Sequence, residues 1–190
     1  KKMKLFFFFF FTGLHKNTTL VSIGIIAENG MTFYAEFTDY DKEQIDEWLE
    51  KNVIQNLTIE KPTNFSLDDD LKDYRVKGDT SEVKHYLTMW LSNFEKVVFW
   101  SDCLSYDWVL FNHIFGHAFS IPENVYYIPF DICTLFEHKG IDADISRERY
   151  AEITNDKGQN QTSEYMMKHN ALYDAKVIKL CYEKLCGGKI

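Results

Sequence analysis

Three apolar segments open the chain, with short polar links between them. Residues 5–11 form an unbroken apolar run, and residues 20–27 form a second run that contains Gly24. Residues 31–37 follow an Asn-Gly pair and alternate between apolar and polar positions. A continuous apolar run is typical of a strand covered on both faces, and Asn-Gly is typical of a hairpin turn. The pattern predicts three antiparallel strands, with Gly24 marking a bulge or the close approach of another backbone.

Helical patterns alternate with extended ones in the rest of the chain. Asp41 precedes an apolar stripe at helical spacing and has Gln44 three residues on, which is the capping-box signature of a helix start. Asp79 and Glu82 repeat that signature. Further strands are predicted at 97–100 and 125–130, and further helices at 106–119, 131–138 and 170–185. We therefore expect one α/β domain over residues 1–190, with a mixed five-stranded sheet flanked by helices.

The polar stretch 57–77 is longer than most loops of compact domains. We expect it to contain a short helix or to form a flap. It carries three consecutive aspartates at 68–70, which could form a metal site. Adjacent carboxylates on a loop are more often simply solvated.

Composition and charge narrow the classes of function. The four cysteines form no C-x-x-C pair, which indicates reduced thiols in a cytoplasmic protein. The apolar run at 5–11 is too short to span a bilayer, so we interpret it as a buried strand and expect no membrane partner. The net charge of −8 argues against a protein that holds long nucleic acid through its own cationic surface. It argues less against a nuclease whose metal ions neutralise the substrate phosphate.

Candidate catalytic residues occur near the end of the chain, where His169 stands five residues before Asp174. Within one helix, that spacing would put the two side chains about 140° apart. With Asn170 as the helix cap, Asp174 falls on the first turn and His169 lies just outside the helix. The two side chains can then face one cleft.

Two other segments offer candidate site residues. Asp107 is predicted to open a helix shortly after the strand at 97–100, and the carboxyl ends of sheet strands are favourable places for ligands. Asp102, in the preceding loop, is the alternative acid. Thr12, Gly13 and Leu14 directly follow the first strand.

In this order, and over nearly the whole chain, these motifs resemble those of the DEDD superfamily of 3′→5′ exonucleases, in its histidine branch. The resemblance is to small bacterial and phage 3′→5′ exoribonucleases, and it implies a ribonuclease H-like fold. The family's first motif has the form D-x-E-x-T-G-L, its second contributes an aspartate, and its third is H-x-x-x-x-D. The T-G-L of the first motif is present here, but its two acid positions are occupied by Phe8 and Phe10.

The resemblance implies a function and a set of roles. Asp107 and Asp174 match metal ligands for two Mg²⁺ or Mn²⁺ ions, and His169 matches the general base that takes a proton from the attacking water. The implied reaction removes terminal nucleotides from single-stranded or short RNA or DNA. Substrate contacts are expected from residues near these motifs: Thr12, Gly13, Leu14, Tyr106 and Trp108. The two aromatic members of this set could equally belong to the core. A homodimer is compatible with the aromatic-rich chain.

The two phenylalanines limit the activity that can be expected. Hard divalent cations need oxygen ligands, which a benzyl ring does not offer. Phe8 and Phe10 lie on the same face of a strand, so both rings would point into the metal space. We expect impaired hydrolysis, whether the phenylalanines reflect natural loss, deliberate alteration or an error in the recorded sequence. The alternatives are an inactive nucleic-acid or protein binding module on the same fold, and a phosphoesterase acting on small nucleotides.

Overall fold

A computed structural model describes residues 1–60, 66–67, 73–152 and 169–187, with only the backbone described at 66–67. Seven strands form one sheet in this part of the chain: β1 (Met3–Phe11), β2 (Leu20–Ala27), β3 (Thr32–Phe37), β4 (Ser66–Leu67), β5 (Asp73–Gly78), β6 (Val97–Ser101) and β7 (Phe130–Asp131). The order across the sheet is β4-β5-β3-β2-β1-β6-β7. The first three strands are antiparallel to one another, whereas β5, β6 and β7 each run parallel to a neighbour. This confirms the predicted α/β fold, which is consistent with the ribonuclease H-like class.

The number of strands differs from the five expected. β5 lies at the end of the stretch predicted to contain a short helix or to form a flap, where it pairs in parallel with β3 and turns Tyr74 and Val76 inward. The strand predicted at 125–130 is wrong over most of its length, because only Val125 and Phe130 pair with β6. Pro129 lacks the N–H group that a continuous ladder would need. The aspartates at 68–70 lie outside the described residues.

Six α-helices are described: α1 (Glu47–Asn52), α2 (Thr80–Leu91), α3 (Ser105–Ile114), α4 (Ile132–His138), α5 (Arg147–Tyr150) and α6 (Ala171–Leu185). The capping box of Asp79 and Glu82 is confirmed at the start of α2. The helix predicted from Asp41 is wrong in part: Asp41 caps a short 3₁₀ turn, and α1 starts only after Asp46, whose extended backbone interrupts the helix. α3 ends five residues earlier than the predicted 119, before Gly116 at φ 84°. None of the helices in the described part of the chain is long and apolar enough to cross a bilayer.

The side chains of β1 alternate between two packed layers. Leu5, Phe7 and Phe9 are buried in the main core, which includes side chains of α2 and α3. Phe6 and Phe8 belong to the cluster formed with α4 and α6 on the opposite face. An apolar strand with helices on both faces explains why nearly every position of this run is apolar.

The first turn of α6 lies directly on β2 at Gly24. A Cβ atom built on this glycine would lie 2.2 Å from the backbone nitrogen of Leu172 and 2.3 Å from the carbonyl carbon of Ala171. The residue is therefore a close-approach glycine, one of the two alternatives predicted from the sequence. Because backbone atoms cannot rotate away, any side chain here would move the start of α6.

We predict that Gly24→Ala lowers the free energy of unfolding by about 1–3 kcal/mol or more, because the added methyl group overpacks a contact with helix backbone. Chemical denaturation followed by circular dichroism measures the change. Gly13→Ala is the matched control, since its Cβ would meet only the side chain of His15, which is exposed and can move. Equal stability of the two variants would contradict the close-approach interpretation.

Candidate functional site

The candidate site lies where β1 and β6 end side by side. Because the two strands are parallel, the residues that follow them meet at one edge of the sheet. Two cavities open there, with volumes of about 460 Å³ and 300 Å³. The first cavity is lined by residues 8–14, Asp46, Trp48, Leu49, Asp102, Cys103 and Asp107. The second cavity is lined by Phe8, Phe10, Trp48, Asp102, Arg147, Glu148, His169, Asp174, Val177 and Ile178.

Phe8 and Phe10 are shared by the two cavities that contain the candidate catalytic residues. Their ring centroids are 5.2 Å apart. Asp107 lines the first cavity, whereas His169 and Asp174 line the second. The structure therefore places the predicted acids and histidine in two cavities that share Phe8 and Phe10.

His169 lies in a left-handed backbone conformation, at φ 65°, just before α6. Its ring meets Phe10 and Trp48 edge to face, with centroid distances of 6.3 Å and 5.6 Å. Asn170 caps the helix as predicted, since its Oδ1 accepts hydrogen bonds from the backbone N–H groups of Leu172 and Tyr173. The cap fixes the turn that places the histidine outside the helix.

Asp107 is only 5% exposed, and its Oδ1 accepts a hydrogen bond of 3.0 Å from the backbone N–H of Phe9. β6 pairs with β1 only as far as Phe6, so the next backbone groups of β1 need other partners. The hydroxyl of Ser101 donates to the carbonyl of Phe7 at 2.8 Å, and Asp107 serves Phe9. Burial raises the pKa of Asp107 to about 7, despite this hydrogen bond, which lowers it.

Asp102, the alternative acid, is held by a cation from the chain itself. Arg147 donates from Nε to Oδ2 at 2.8 Å and from Nη2 to Oδ1 at 2.9 Å. Such bidentate pairs are strong and fix the geometry of the carboxylate. Because Arg147 lies 45 positions further along the chain, it ties the segment containing α5 to the end of β6.

In the described part of the chain, one group of three side chains brings possible metal-ligand atoms within 4.8 Å of one another: Asp102, Asp131 and Cys133. Protein donors already occupy this group. Arg147 binds Asp102, and the backbone N–H of Leu104 donates to Asp131 at 3.0 Å. The thiol of Cys133 donates to Asp102, and burial raises its pKa to about 12. A protonated thiol and a paired carboxylate are poor ligands.

The residues predicted to contact substrate separate into two sets. Thr12, Gly13 and Leu14 line the first cavity, and Leu14 is 75% exposed at its rim. Tyr106 and Trp108 line neither cavity: their rings stack on Phe11 and Phe111, respectively. For these two aromatic residues, packing is the role that the contacts support.

Sequence reasoning missed several residues that line the two cavities. Trp48 and Leu49 lie in α1, Asp46 caps that helix, and Arg147 lies in α5. Trp48 gave no sequence signal of this, because its helical spacing assigned it to the apolar stripe of the predicted helix, whereas the structure leaves it 54% exposed. Nothing in the local sequence indicated that Arg147 pairs with Asp102.

A family model described as the 3'-5' exoribonuclease Rv2179c-like domain matches residues 10–185. This chain belongs to that exoribonuclease family. At the family level it is therefore a hydrolase, and the family description suggests RNA as the substrate. The match begins at Phe10, so Phe8 lies outside it. No curated protein sequence matches the chain.

Among the described residues of this exoribonuclease-family chain, those that line the two cavities do not fit a site for two divalent metal ions. Magnesium and manganese need several oxygen ligands around each ion. The two positions expected to supply acids carry rings, which offer no oxygen atom to a metal ion. Asp102 is neutralised by Arg147.

The raised pKa of Asp107 predicts a pH-dependent stability for the metal-free protein. Between the ordinary value of 3.8 and about 7, the folded state keeps a proton that the unfolded state has lost. The free energy of unfolding therefore falls as the pH rises through this window, by up to about 4 kcal/mol at 1.36 kcal/mol per unit. Asp107→Asn imitates the protonated acid, so it should match the parent protein near pH 4 and be more stable at pH 8. Denaturation in the presence of a chelator measures both.

Asp144→Asn is the control, because it removes the same charge from an exposed position. It should leave the difference in stability between the two pH values nearly as it is in the parent protein. Destabilisation of Asp107→Asn at pH 8 would show that the carboxylate is needed in its charged form.

Proposed function

We propose that this chain is a 3′→5′ exoribonuclease-family protein of the DEDD histidine branch, with impaired hydrolysis in this exact sequence. The proposal rests chiefly on one observation: Phe8 and Phe10 line both cavities, the first together with Asp107 and the second together with Asp174 and His169. It assigns the family's two missing acids to the positions of these rings. The family match over residues 10–185 supports the exoribonuclease origin.

In this proposal, Asp107 and Asp174 are the remaining ligands of a site for Mg²⁺ or Mn²⁺, and His169 is the general base. Two carboxylates bind these hard cations weakly, so we expect weak or absent metal binding. Phe10 and Trp48 contact the imidazole of His169, which lines the second cavity and would face an attacking water there.

The substrate in this proposal is single-stranded or short RNA, with DNA as an alternative. Thr12, Gly13 and Leu14 line the first cavity, and the exposed Leu14 is placed to contact the end of an RNA strand. A cytoplasmic location, a single domain over residues 1–190 and the pairing of two copies stay predictions.

A binding module without catalysis is the second candidate function. It is favoured by the largely apolar lining of the first cavity, where rings and aliphatic side chains outnumber polar groups. On this alternative, the cavity binds a ligand and the protein does not hydrolyse it.

We predict little or no magnesium-dependent trimming of a labelled single-stranded RNA by this protein, because two of the four expected carboxylates are absent. Denaturing electrophoresis of the products measures the activity, and a mass spectrum must first confirm the phenylalanines at 6–11. Robust turnover by protein of the confirmed mass would contradict the proposal and would require other acids to complete the site.

The double substitution Phe8→Asp with Phe10→Glu should create metal-dependent 3′→5′ exonuclease activity. Without metal, its stability should fall, because four carboxylates would share a partly desolvated cleft. Added Mg²⁺ or Mn²⁺ should then raise its melting temperature far more than that of the parent, since the ions bind only the folded state. Thermal denaturation with and without metal measures this effect independently of activity.

Adding His169→Ala to the double substitution should reduce the rate and leave the metal-induced stabilisation largely intact, because the histidine is assigned to proton transfer. Metal binding by the restored protein without cleavage of any oligonucleotide would favour a small-nucleotide phosphoesterase. Absence of metal binding would show that the site is misplaced.

A further inference from the structure

Two polar side chains of β3 are buried beside the first turn of α6. Tyr34 and Glu36 lie two positions apart on the strand, so both point to the face on which Tyr34 packs against Ala171. Tyr34 is 1% exposed and Glu36 is 0% exposed, and neither lines the two cavities. Because buried polar groups are costly unless they are hydrogen-bonded, the partners of this pair indicate what it does.

Glu36 binds the chain segment that follows α1. Its Oε1 accepts hydrogen bonds from the backbone N–H groups of Thr58 at 2.7 Å and Ile59 at 3.0 Å. The hydroxyl of Tyr34 donates to the same oxygen at 2.9 Å. The other oxygen, Oε2, lies 3.3 Å from Nζ of Lys77. An ion-paired carboxylate can only accept hydrogen bonds, so the single proton of the tyrosine hydroxyl is directed to Glu36.

Toward its other neighbours, the hydroxyl oxygen of Tyr34 can therefore only accept. Burial, followed by the charge of Glu36, raises the pKa of Tyr34 above its ordinary value, whereas side-chain hydrogen bonds from Thr58 and Asn170 oppose that rise. To donate to Tyr34, the amide of Asn170 must present its NH₂ group. Its Oδ1 then faces the first turn of α6, whose backbone N–H groups it caps.

The orientation of Asn170 matters to the candidate site because His169 directly precedes it. His169 has φ 65°, a left-handed conformation that few residues with a side chain adopt. Such a conformation persists only where the surrounding structure enforces it. Two sets of contacts do so here: the cap at Asn170, and the rings of Phe10 and Trp48 that meet the imidazole.

We propose that Tyr34 and Glu36 are positioning residues, which hold Asn170 in its capping orientation and thereby keep His169 at the second cavity. The direction of the hydrogen bonds carries the effect, from the carboxylate through the hydroxyl to the amide. The consequence for catalysis rests on the proposed function, in which His169 is the general base. The positioning itself does not depend on hydrolysis.

Nuclear magnetic resonance of the histidine rings, in the presence of a chelator, tests the positioning without activity. The ring signal of His169 depends on its place beside Phe10 and Trp48, and His169→Gln identifies it by its absence. Tyr34→Phe removes only the hydroxyl, so Asn170 loses the acceptor that orients it. We expect the signal of His169 to shift more than that of any other histidine. An unshifted signal would overturn the proposal.

Tyr74→Phe is the matched control, because Tyr74 is also buried, at 3% exposed, but packs in the main core. It should leave the signal of His169 in place, and a shift equal to that of Tyr34→Phe would overturn the proposal. Glu36→Gln keeps a carbonyl oxygen that can accept from the tyrosine hydroxyl, while the partly exposed Lys77 can turn to solvent. It should shift the signal less than Tyr34→Phe, and a larger shift would contradict the assigned direction of the hydrogen bonds.

A double-mutant cycle measures whether Tyr34 and Asn170 act together. Asn170→Ala should lower the melting temperature, because it removes the cap of α6. With Tyr34→Phe already present, this loss should be smaller by at least about 2 °C, since the cap is no longer held in place. Asp79→Ala is the control: it removes the cap of α2, so its effect should add to that of Tyr34→Phe. Additive losses at both caps would overturn the proposal.

Catalysis is measured separately, in the protein restored by Phe8→Asp with Phe10→Glu. If that protein trims RNA, Tyr34→Phe should lower kcat by at least about threefold, because a displaced general base slows the chemical step. KM and the metal-induced rise in melting temperature should stay nearly the same. An unchanged kcat would overturn the role in catalysis. Absence of trimming, together with a shifted His169 signal and non-additive caps, would contradict the exonuclease proposal and support the positioning.

Discussion

The contact between the first turn of α6 and the backbone of β2 sets the geometry of the cleft. In the register of the sheet, Gly24 lies between Phe8 of β1 and Tyr34 of β3, so the helix rests on the one position in that row without a side chain. The helix carries Asp174 on its first turn and His169 just before it. Because backbone rests on backbone, the height of these residues above β1 has little freedom. The side chains of β1 must fit beneath a helix whose position is already fixed.

Under that fixed helix, rings in place of acids at positions 8 and 10 change both the charge and the apolar area of the cavities. Carboxylates at positions 8 and 10 would need a cation to offset their mutual repulsion with Asp107 and Asp174. Two phenylalanines contact each other instead and add apolar area to the layer around α6. With rings at these two positions, no cation is needed there to offset charge repulsion. What remains is a cavity lined by aromatic rings and by Asp46, Asp102 and Asp107, in a chain whose net charge is −8.

The parts of the fold with strong local signals could be predicted from the sequence. The apolar runs, the Asn-Gly turn and the cap at Asn170 placed the first three strands and the last helix close to their true bounds. β5 was missed because its outward residues are charged and its pairing with β3 depends on residues far away in the chain. Of the site, motif spacing placed the acids and the histidine at one cleft. It could not place Arg147, whose partner is distant, or Trp48, which reaches the cleft through the position of α1.

Asp107 lines the first cavity and also completes the hydrogen bonding of β1. β6 stops pairing with β1 at this point. The carboxyl group of Asp107 accepts a hydrogen bond from the N–H of Phe9, and the hydroxyl of Ser101 donates one to the carbonyl of Phe7. An unpaired buried N–H group carries a cost comparable to a lost hydrogen bond, so selection for stability alone favours an acceptor at this position. A family member that no longer cleaves RNA would therefore still be under pressure to keep an aspartate or an asparagine here. The hydrogen bond to Phe9 is therefore a reason to retain Asp107 that does not depend on any catalytic role.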